Sequence, residues 1–341
     1  AWGPPFAGGD STLFTSTNRG KRSIVLDLRT TSGSGTARRL AARADVFVQS
    51  LRAGVAEAYG VGAAALQAAN TRLIYCSIAA YGAHGPLRDL PGYDPLMQAH
   101  GGLMSVTGEP GTPARIGTSI IDMGTGLWAA IGVLAALRRR DVTGAGEHVV
   151  ASLYETALAW NAYHLLGYVA EGFVPQPSST AFPLIAPYEA FPTRDSRLMI
   201  AAANDALFRK LCGALDLSVL VRDPRFTDNP SRVRNRAALV PAIAQATRTY
   251  ATVDLTDTLR AAGVPCAPIL DVAGVTAEPQ TLASGLLSTL ADPDGRAVPT
   301  VLPPLMWDGR RQASRRPPPK PDADAAAILD ELEDLERVSG R

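Results

Sequence analysis

Residues 22 to 78 alternate short β-branched apolar runs with helical stretches, and few folds accommodate that alternation. It predicts parallel strands joined by crossover helices, since parallel neighbours need a connection long enough to cross the sheet. Ser23–Leu26, Val46–Val48 and Leu73–Ser77 are the expected strands. Between the first two, Thr36 to Ala44 sets Leu40 and small alanines on one side and arginines on the other, as suits a helix covering a sheet. The expectation is an α/β chain whose larger domain is doubly wound. Ligands of such sheets bind beyond the carboxyl ends of the strands, which directs attention to the loops after Leu26, Val48 and Ser77.

Farther along, a helix is expected from Met123 or Gly124 to Arg140, stopped by Thr143-Gly144-Ala145-Gly146; a strand at His148–Ala151 then leads into a helix from about Tyr154. Pro175, Pro177, Pro183, Pro187 and Pro192 mark a domain boundary. Beyond it Leu198–Ala203 and Pro265–Leu270 read as strands, and Ala206–Leu215 and Ala237–Arg248 as helices, of a second, smaller α/β domain. The expected limits are 1–174 with 300–341 for the large domain, 175–187 for a linker, 188–285 for the small domain and 286–299 for a return linker. Arg315 to Pro321 reads as an extended proline-rich spacer, and Asp322 to Arg337 as an acidic amphipathic helix whose charges form a solvated face.

Composition removes several function classes. Among 341 residues, 33 Lys+Arg balance 32 Asp+Glu, and a net charge of +1 gives no field for gripping a nucleic acid. Cys76, Cys212 and Cys266 lie far apart without a C-x-x-C pair, which signals neither a disulfide scaffold nor a zinc knuckle and fits a reducing cytoplasm. The apolar run Leu127 to Leu137 falls short of the roughly 20 residues that cross a bilayer, so no membrane span is expected. The first residues lack a starting Met and a signal-peptide layout, which suggests a chain that begins partway into a larger protein. There is no G-x-S-x-G elbow, P-loop or H-E-x-x-H helix, and the four histidines are scattered, so no metal is expected. Gly33-Ser34-Gly35 lacks the third glycine of a dinucleotide loop, which speaks against NAD.

The most informative stretches are Gly92-Tyr93-Asp94, Gly101-Gly102-Leu103-Met104-Ser105-Val106-Thr107-Gly108, and Ile120-Ile121-Asp122-Met123-Gly124-Thr125-Gly126 ahead of the apolar helix. With them run Asn18-Arg19-Gly20-Lys21-Arg22-Ser23 and Leu26-Asp27-Leu28, Ala44-Asp45-Val46 and Leu51-Arg52-Ala53-Gly54-Val55, Tyr81-Gly82 and Gly85-Pro86, and Pro91 before Gly92. Thr143 to Glu147, Ile185-Ala186-Pro187-Tyr188, Asp223-Pro224-Arg225-Phe226 and Gly263-Val264-Pro265 complete the set. In this order, over nearly the whole chain, the blocks resemble the class III CoA-transferase family, which includes formyl-CoA and carnitine CoA-transferases and, as a relative, α-methylacyl-CoA racemase.

The resemblance implies a Rossmann-like large domain, an interlocked homodimer, and transfer of CoA from an acyl-CoA to a small carboxylic acid without metal or NAD. It assigns the nucleophile to Asp122, with Tyr93, Asp94, Gly124 and Gly126 at the substrate. A carboxylate suits this chemistry because its attack on a thioester yields an anhydride that CoA thiolate can reopen. The position before an apolar helix would favour the anion through the helix dipole, and the glycines would let backbone N–H groups approach an oxyanion. Read locally, Asp122 equally suits an N-cap. For CoA the resemblance points to Arg19, Lys21, Arg22 and Leu26, to Ser50, Leu51, Arg52 and Tyr59, and to Ile78, Tyr81 and Gly82. Any one of the cations equally suits a solvated surface charge.

Tyr93 stands where the racemases carry a His acid/base, and an unperturbed phenol near pKa 10 moves an α-proton poorly, which favours transfer. Asp205 keeps the racemase alternative open, although it also reads as the N-cap of the following helix. A noncatalytic CoA-thioester binder is a further alternative, and a Rossmann dehydrogenase a weaker one. Pro183-Leu184-Ile185 and Met97 point to an apolar part of the substrate site. Family members carry a leading strand, helix and strand before the Trp-Gly-Pro-Pro block; against that resemblance the sequence reads as a fragment, as a chain given without a disordered start or as an inactive remnant, and something else is expected to fill the place of the segment in the sheet.

Overall fold

A computed structural model describes residues 3–7, 9–292, 295–311 and 316–339 of the chain. Trp2, Pro293, Asp294 and Arg315, which belong to the expected amino-terminal block, return linker and proline-rich spacer, lie outside the described residues. The architecture is mixed α/β, and the chain divides into two compact units. The first comprises Ala1–Asp94, Ile121–Thr156 and Val272–Arg341; the second comprises Pro95–Ile120 and Ala157–Asp271.

The first unit is built on a parallel sheet of β1 (Val46–Gln49), β2 (Ile74–Ala79) and β3 (His148–Ser152), in that order. Val46 pairs with Ile74 and Gln49 with Ser77, while Tyr75 pairs with His148 and Ala79 with Ser152. Side chains alternate across the sheet, so each face has its own cover. Tyr75 and the neighbouring Leu73 pack with Ala41 and Leu66, from helices α1 (Thr31–Arg43) and α2 (Ala63–Ala69). Thr30 starts α1 by accepting the Gly33 N–H at 3.0 Å, an N-cap of ordinary chemistry. On the opposite face Cys76 and Ala151 pack against Ala129 of α3 (Ile120–Thr143). By length and composition α3 is apolar enough to span a bilayer, and 28% of its most apolar window is buried inside the chain. Its flank lies so close to the sheet that a Cβ on Gly132 would come within 2.7 Å of Val149 Cγ1. The next helix, α4 (Leu153–Trp160), follows β3 directly.

Two expectations change here. Ser23–Leu26 joins no strand, because side-chain carboxylates take the amides that a ladder would otherwise use. Asp324 accepts the Ser23 N–H at 2.9 Å and Asp322 the Val25 N–H at 2.8 Å. The acidic helix, Ala325–Ser339, is not merely a solvated face: Glu331 pairs with Arg22 at 2.8 Å, Glu336 holds Arg39 through two bonds of 2.8 and 2.6 Å, and Leu332 is buried. Within residues 286–299 the chain forms an antiparallel hairpin with its neighbours, Leu287–Ala291 on Ala297–Val301.

The second unit contains an antiparallel sheet of β4 (Tyr188–Pro192), β5 (Arg197–Ala201) and β6 (Cys266–Pro268), with β5 in the centre. Leu198 and Ile200 alternate inward from β5, and α5 (Asp205–Ala214) buries Phe208, Leu211 and Cys212 at helical spacing. Helices α6 (Arg236–Thr247) and α7 (Thr252–Ala261) add Leu239, Ile243, Leu255 and Leu259 to the same core. Arg232 is fully buried there. Its guanidinium donates to Ala186 O at 2.8 Å, Phe226 O at 3.2 Å and Asp205 Oδ1 at 2.7 Å, and lies 4.6 Å from the Phe208 ring centroid. Met97 is also fully buried, so it supplies core packing and not the apolar substrate contact expected of it.

Candidate active site

The carboxyl ends of β1 and β2 open on a cavity of about 720 Å³ within the first unit. Its wall includes the loop Ser50–Gly54, Glu57, residues 77–80, 82 and 83, segment 88–93, His148, and Asp122 from the first turn of α3. Gly54 makes the turn between loop and short helix Val55–Ala58 with φ +78°, a conformation glycine adopts without the Cβ clash other residues meet. Arg52 lines the cavity; its carbonyl accepts the Val55 N–H at 3.1 Å, and its guanidinium has no hydrogen-bond or ion-pair partner among the described residues.

Asp122 is not the N-cap. α3 begins at Ile120, three or four residues before the expected start, so Asp122 lies inside its first turn. The cap comes from a distant residue: buried Asp94 Oδ2 accepts the N–H groups of Ile121 at 2.7 Å and Asp122 at 3.2 Å. These are two of the four donors that an α-helix leaves without internal partners. The Asp122 carboxylate itself has no hydrogen-bond partner among the described residues. Burial, then the nearby charge of Asp94, pushes its pKa above the ordinary aspartate value. Desolvation and a like charge both act against ionisation, in the sense opposite to the helix dipole.

This arrangement predicts a shift in the acid limb of the pH–activity profile. Asp94→Asn keeps an oxygen for the cap but removes the charge, so Asp122 should ionise at lower pH and activity should persist to more acidic conditions. The weaker cap should cost about 1 kcal/mol of stability. An unchanged acid limb in kcat/KM would contradict the coupling.

Of the residues singled out in the sequence, the cavity brings together Ser50, Leu51, Arg52, Ile78, Gly82, Tyr93 and Asp122. Asp94 stands behind Asp122 as its cap. Gly124 is buried within α3 and Gly126 exposed on it, outside the cavity wall, since the early helix start takes both out of the entry loop. Tyr59 packs on the core of α1 and α2, the Tyr81 ring lies tilted by 42° against that of Tyr154 with centroids 5.5 Å apart, and Leu26 is half-buried in the extended amino-terminal segment. None of these three lines the cavity. Neither do Arg19, Lys21 and Arg22, which bind Thr300 Oγ1 at 3.1 Å, Asn18 Oδ1 at 3.0 Å and Glu331 respectively. Asp205 is the first residue of α5, whose cap is Asn204, and its carboxylate is committed to Arg232.

Sequence reasoning missed Gln49, Ser77 and His148. Gln49 Nε2 donates to Ser77 Oγ at 2.9 Å, and Ser77 Oγ lies 2.9 Å from His148 Nε2. The signal was present only as strand alternation, which sets Tyr75, Ser77 and Ala79 on one face. Burial lowers the pKa of the His148 imidazole, opposed by the charge of Glu57. Among the described residues no three His, Cys, Asp or Glu side chains converge as metal ligands do.

A parallel sheet ending in a cavity that is lined by an aspartate carboxylate without a hydrogen-bond partner at a helix start and by an unpaired guanidinium on a loop is suited to acyl transfer from an anionic thioester. The profile of CoA-transferase family III matches residues 1–325, and the chain belongs to that family. It is an enzyme of that class. Succinate–glutarate CoA-transferase of Agrobacterium fabrum is 36% identical over 99% of this chain and 86% of its own length. Acetyl-CoA:oxalate CoA-transferase of Acetobacter aceti is 34% identical over 96% of this chain and 84% of its own. A CAIB/BAIF family protein from Brucella suis shares the fold with a TM-score of 0.85 and 38% identity, over 97% of this chain and 88% of that one.

Proposed function

We propose that the chain moves CoA reversibly from an acyl-CoA to a small carboxylic acid, with Asp122 as the covalent nucleophile. The observation that carries this reading is the Asp122 carboxylate, free of hydrogen-bond partners among the described residues and raised in pKa, at the wall of a cavity shared with Ser50, Leu51 and Arg52. An ionised oxygen that accepts no hydrogen bond from the protein is a stronger nucleophile than one held by donors.

In the first step an Asp122 oxygen attacks the thioester carbonyl, the C–S bond breaks, and CoA leaves as thiolate beside a mixed anhydride. The thiolate then attacks the aspartyl carbonyl, releasing the donor acid as carboxylate and leaving an aspartyl-CoA thioester. The acceptor carboxylate attacks that thioester in turn, displacing CoA thiolate and forming a second mixed anhydride, and the thiolate then attacks the acceptor's carbonyl, which yields the new acyl-CoA and restores the Asp122 carboxylate. Each step exchanges one acyl bond for another, so no redox or metal chemistry enters. Arg52 and the Ser50–Leu51 backbone would hold the CoA portion, with the planar guanidinium suited to phosphate oxygens, and Tyr93 and Gly82 would face the acyl end. Small dicarboxylic or related acids are the acceptor class favoured by the similarity to the succinate–glutarate and oxalate enzymes.

The test is the mass of the Asp122 peptide after incubation with an acyl-CoA and rapid quenching. A CoA or acyl adduct is expected there; its absence under turnover conditions would overturn the mechanism.

The same reading places the enzyme in the cytoplasm, with the larger unit as a doubly wound, Rossmann-like domain in an interlocked homodimer. Support for a partner comes from α3, where Met123, Leu127, Ile131 and Leu134 are each more than half exposed in the single chain. Sedimentation should return twice the chain mass, and a stable, active monomer would remove the dimer from the proposal.

A further inference from the structure

The Ser50–Gly54 loop, which lines the same cavity as Asp122, is tied to all three strands of the parallel sheet through side chains outside the reaction just described. Gln49 ends β1, and its Oε1 accepts the Leu51 N–H at 2.7 Å, which turns the backbone at Ser50 and fixes the entry to Arg52. That bond also settles the orientation of the amide, leaving Nε2 to donate to Ser77 Oγ on β2 at 2.9 Å. Ser77 Oγ, with one lone pair occupied, can give its own hydrogen to His148 Nε2 on β3, 2.9 Å away. The ring proton then sits on Nδ1. In the other tautomer Ser77 would accept from both neighbours and its hydroxyl hydrogen would need a different partner. His148 is held in turn by the Tyr75 ring, edge to face at 5.1 Å between centroids.

We infer that Gln49, Ser77 and His148 form a hydrogen-bonded tether that positions the Leu51–Arg52 backbone for the CoA portion of the thioester, and so sets affinity for CoA without taking part in acyl transfer. The inference rests on the assignment of CoA to this loop. All three tethering side chains line the same cavity as Arg52. Residues from one strand could fix the loop only relative to that strand; the tether fixes it relative to the sheet. These are positioning residues, because each acts through the loop and not on the reacting atoms.

The experiment compares CoA binding by calorimetry and steady-state kinetics for the full chain and its variants. Gln49→Met keeps the side-chain length and removes both polar ends. It should weaken CoA binding and raise KM for acyl-CoA by about tenfold, the scale of one or two lost hydrogen bonds. At saturating acyl-CoA, kcat and KM for the acceptor acid should stay within about twofold. Ser77→Ala, which leaves the Leu51 bond in place, should weaken binding about threefold, and Ser77→Thr, which restores a hydroxyl, should recover it. Should Gln49→Met fail to fold, the Ser77 pair decides the matter alone. Unchanged CoA affinity in Ser77→Ala, or an equal loss in Ser77→Ala and Ser77→Thr, would overturn the tether while leaving the transferase reading intact. A wild-type chain that binds no CoA would overturn both.

Discussion

Replacing Asp122 by Ala or Asn should lower kcat by at least about 10³-fold, the scale of losing a covalent nucleophile, in a protein that remains folded. The expectation follows from the division of labour at the start of α3. Asp94 caps the helix, and the Asp122 carboxylate contributes no hydrogen bond to the fold among the described residues. The sign of the stability change distinguishes this from a structural role. Because the Asp122 pKa is raised in the folded protein, the folded state prefers the protonated form. The native carboxyl therefore loses stability as pH rises from the unfolded value through the raised folded one, and above that window the ionised group opposes folding. Asp122→Asn carries no such charge and should melt at the same temperature as the native chain or higher at neutral pH. Loss of a cap would instead cost about 1 kcal/mol and spare turnover. A variant that melts early and still exchanges CoA would reverse the assignment.

The largest effect on stability should come from Arg232→Ala in the second unit. The guanidinium is fully buried, satisfies the carbonyls of Ala186 and Phe226, pairs with Asp205 and lies over the Phe208 ring. Truncation leaves two buried acceptors unsatisfied and a void beside an aromatic ring. The expected cost is about 2–5 kcal/mol, from two buried acceptors left unpaired at about 1–3 kcal/mol each, read from the urea midpoint. Asp205→Ala added to it should restore little, because that carboxylate is 44% exposed and can be rehydrated. A loss below about 1 kcal/mol, the scale of a surface ion pair, would show that the buried network is weakly coupled to folding.

Both residues show where sequence reasoning reaches and where it stops. The parallel strands were legible because Val46–Val48 and Leu73–Ser77 are short apolar runs on either side of helical stretches, and β1 and β2 follow them within two residues. The helices of the second unit were legible for the same reason: periodicity is a local property. Asp122 could be singled out as an acid before an apolar helix, but local pattern could not separate nucleophile from cap. That distinction depends on Asp94, 28 residues away, whose carboxylate fills the capping position. Ser23–Leu26 reads as a strand by composition and becomes an unpaired extended segment, because its amides meet carboxylates about 300 positions downstream. The tether was illegible for a related reason. Gln49, Ser77 and His148 come from three strands, and their bonds span 28 and 71 positions of sequence. Arg232 likewise resembles any helix-surface arginine until Ala186 and Asp205, 46 and 27 positions away, close around it with the nearer Phe226 carbonyl.

The placement of Asp94 has a consequence for how such a chain can change over time. Asp94 is the last residue before the backbone leaves the first unit, and Ile121 is the first after it returns. Their 2.7 Å bond closes the neck of the 95–120 excursion as a clasp closes a necklace. Changes of length inside that excursion fall beyond the clasp, which leaves the start of α3, and with it the Asp122 carboxylate on the cavity wall, held by Asp94.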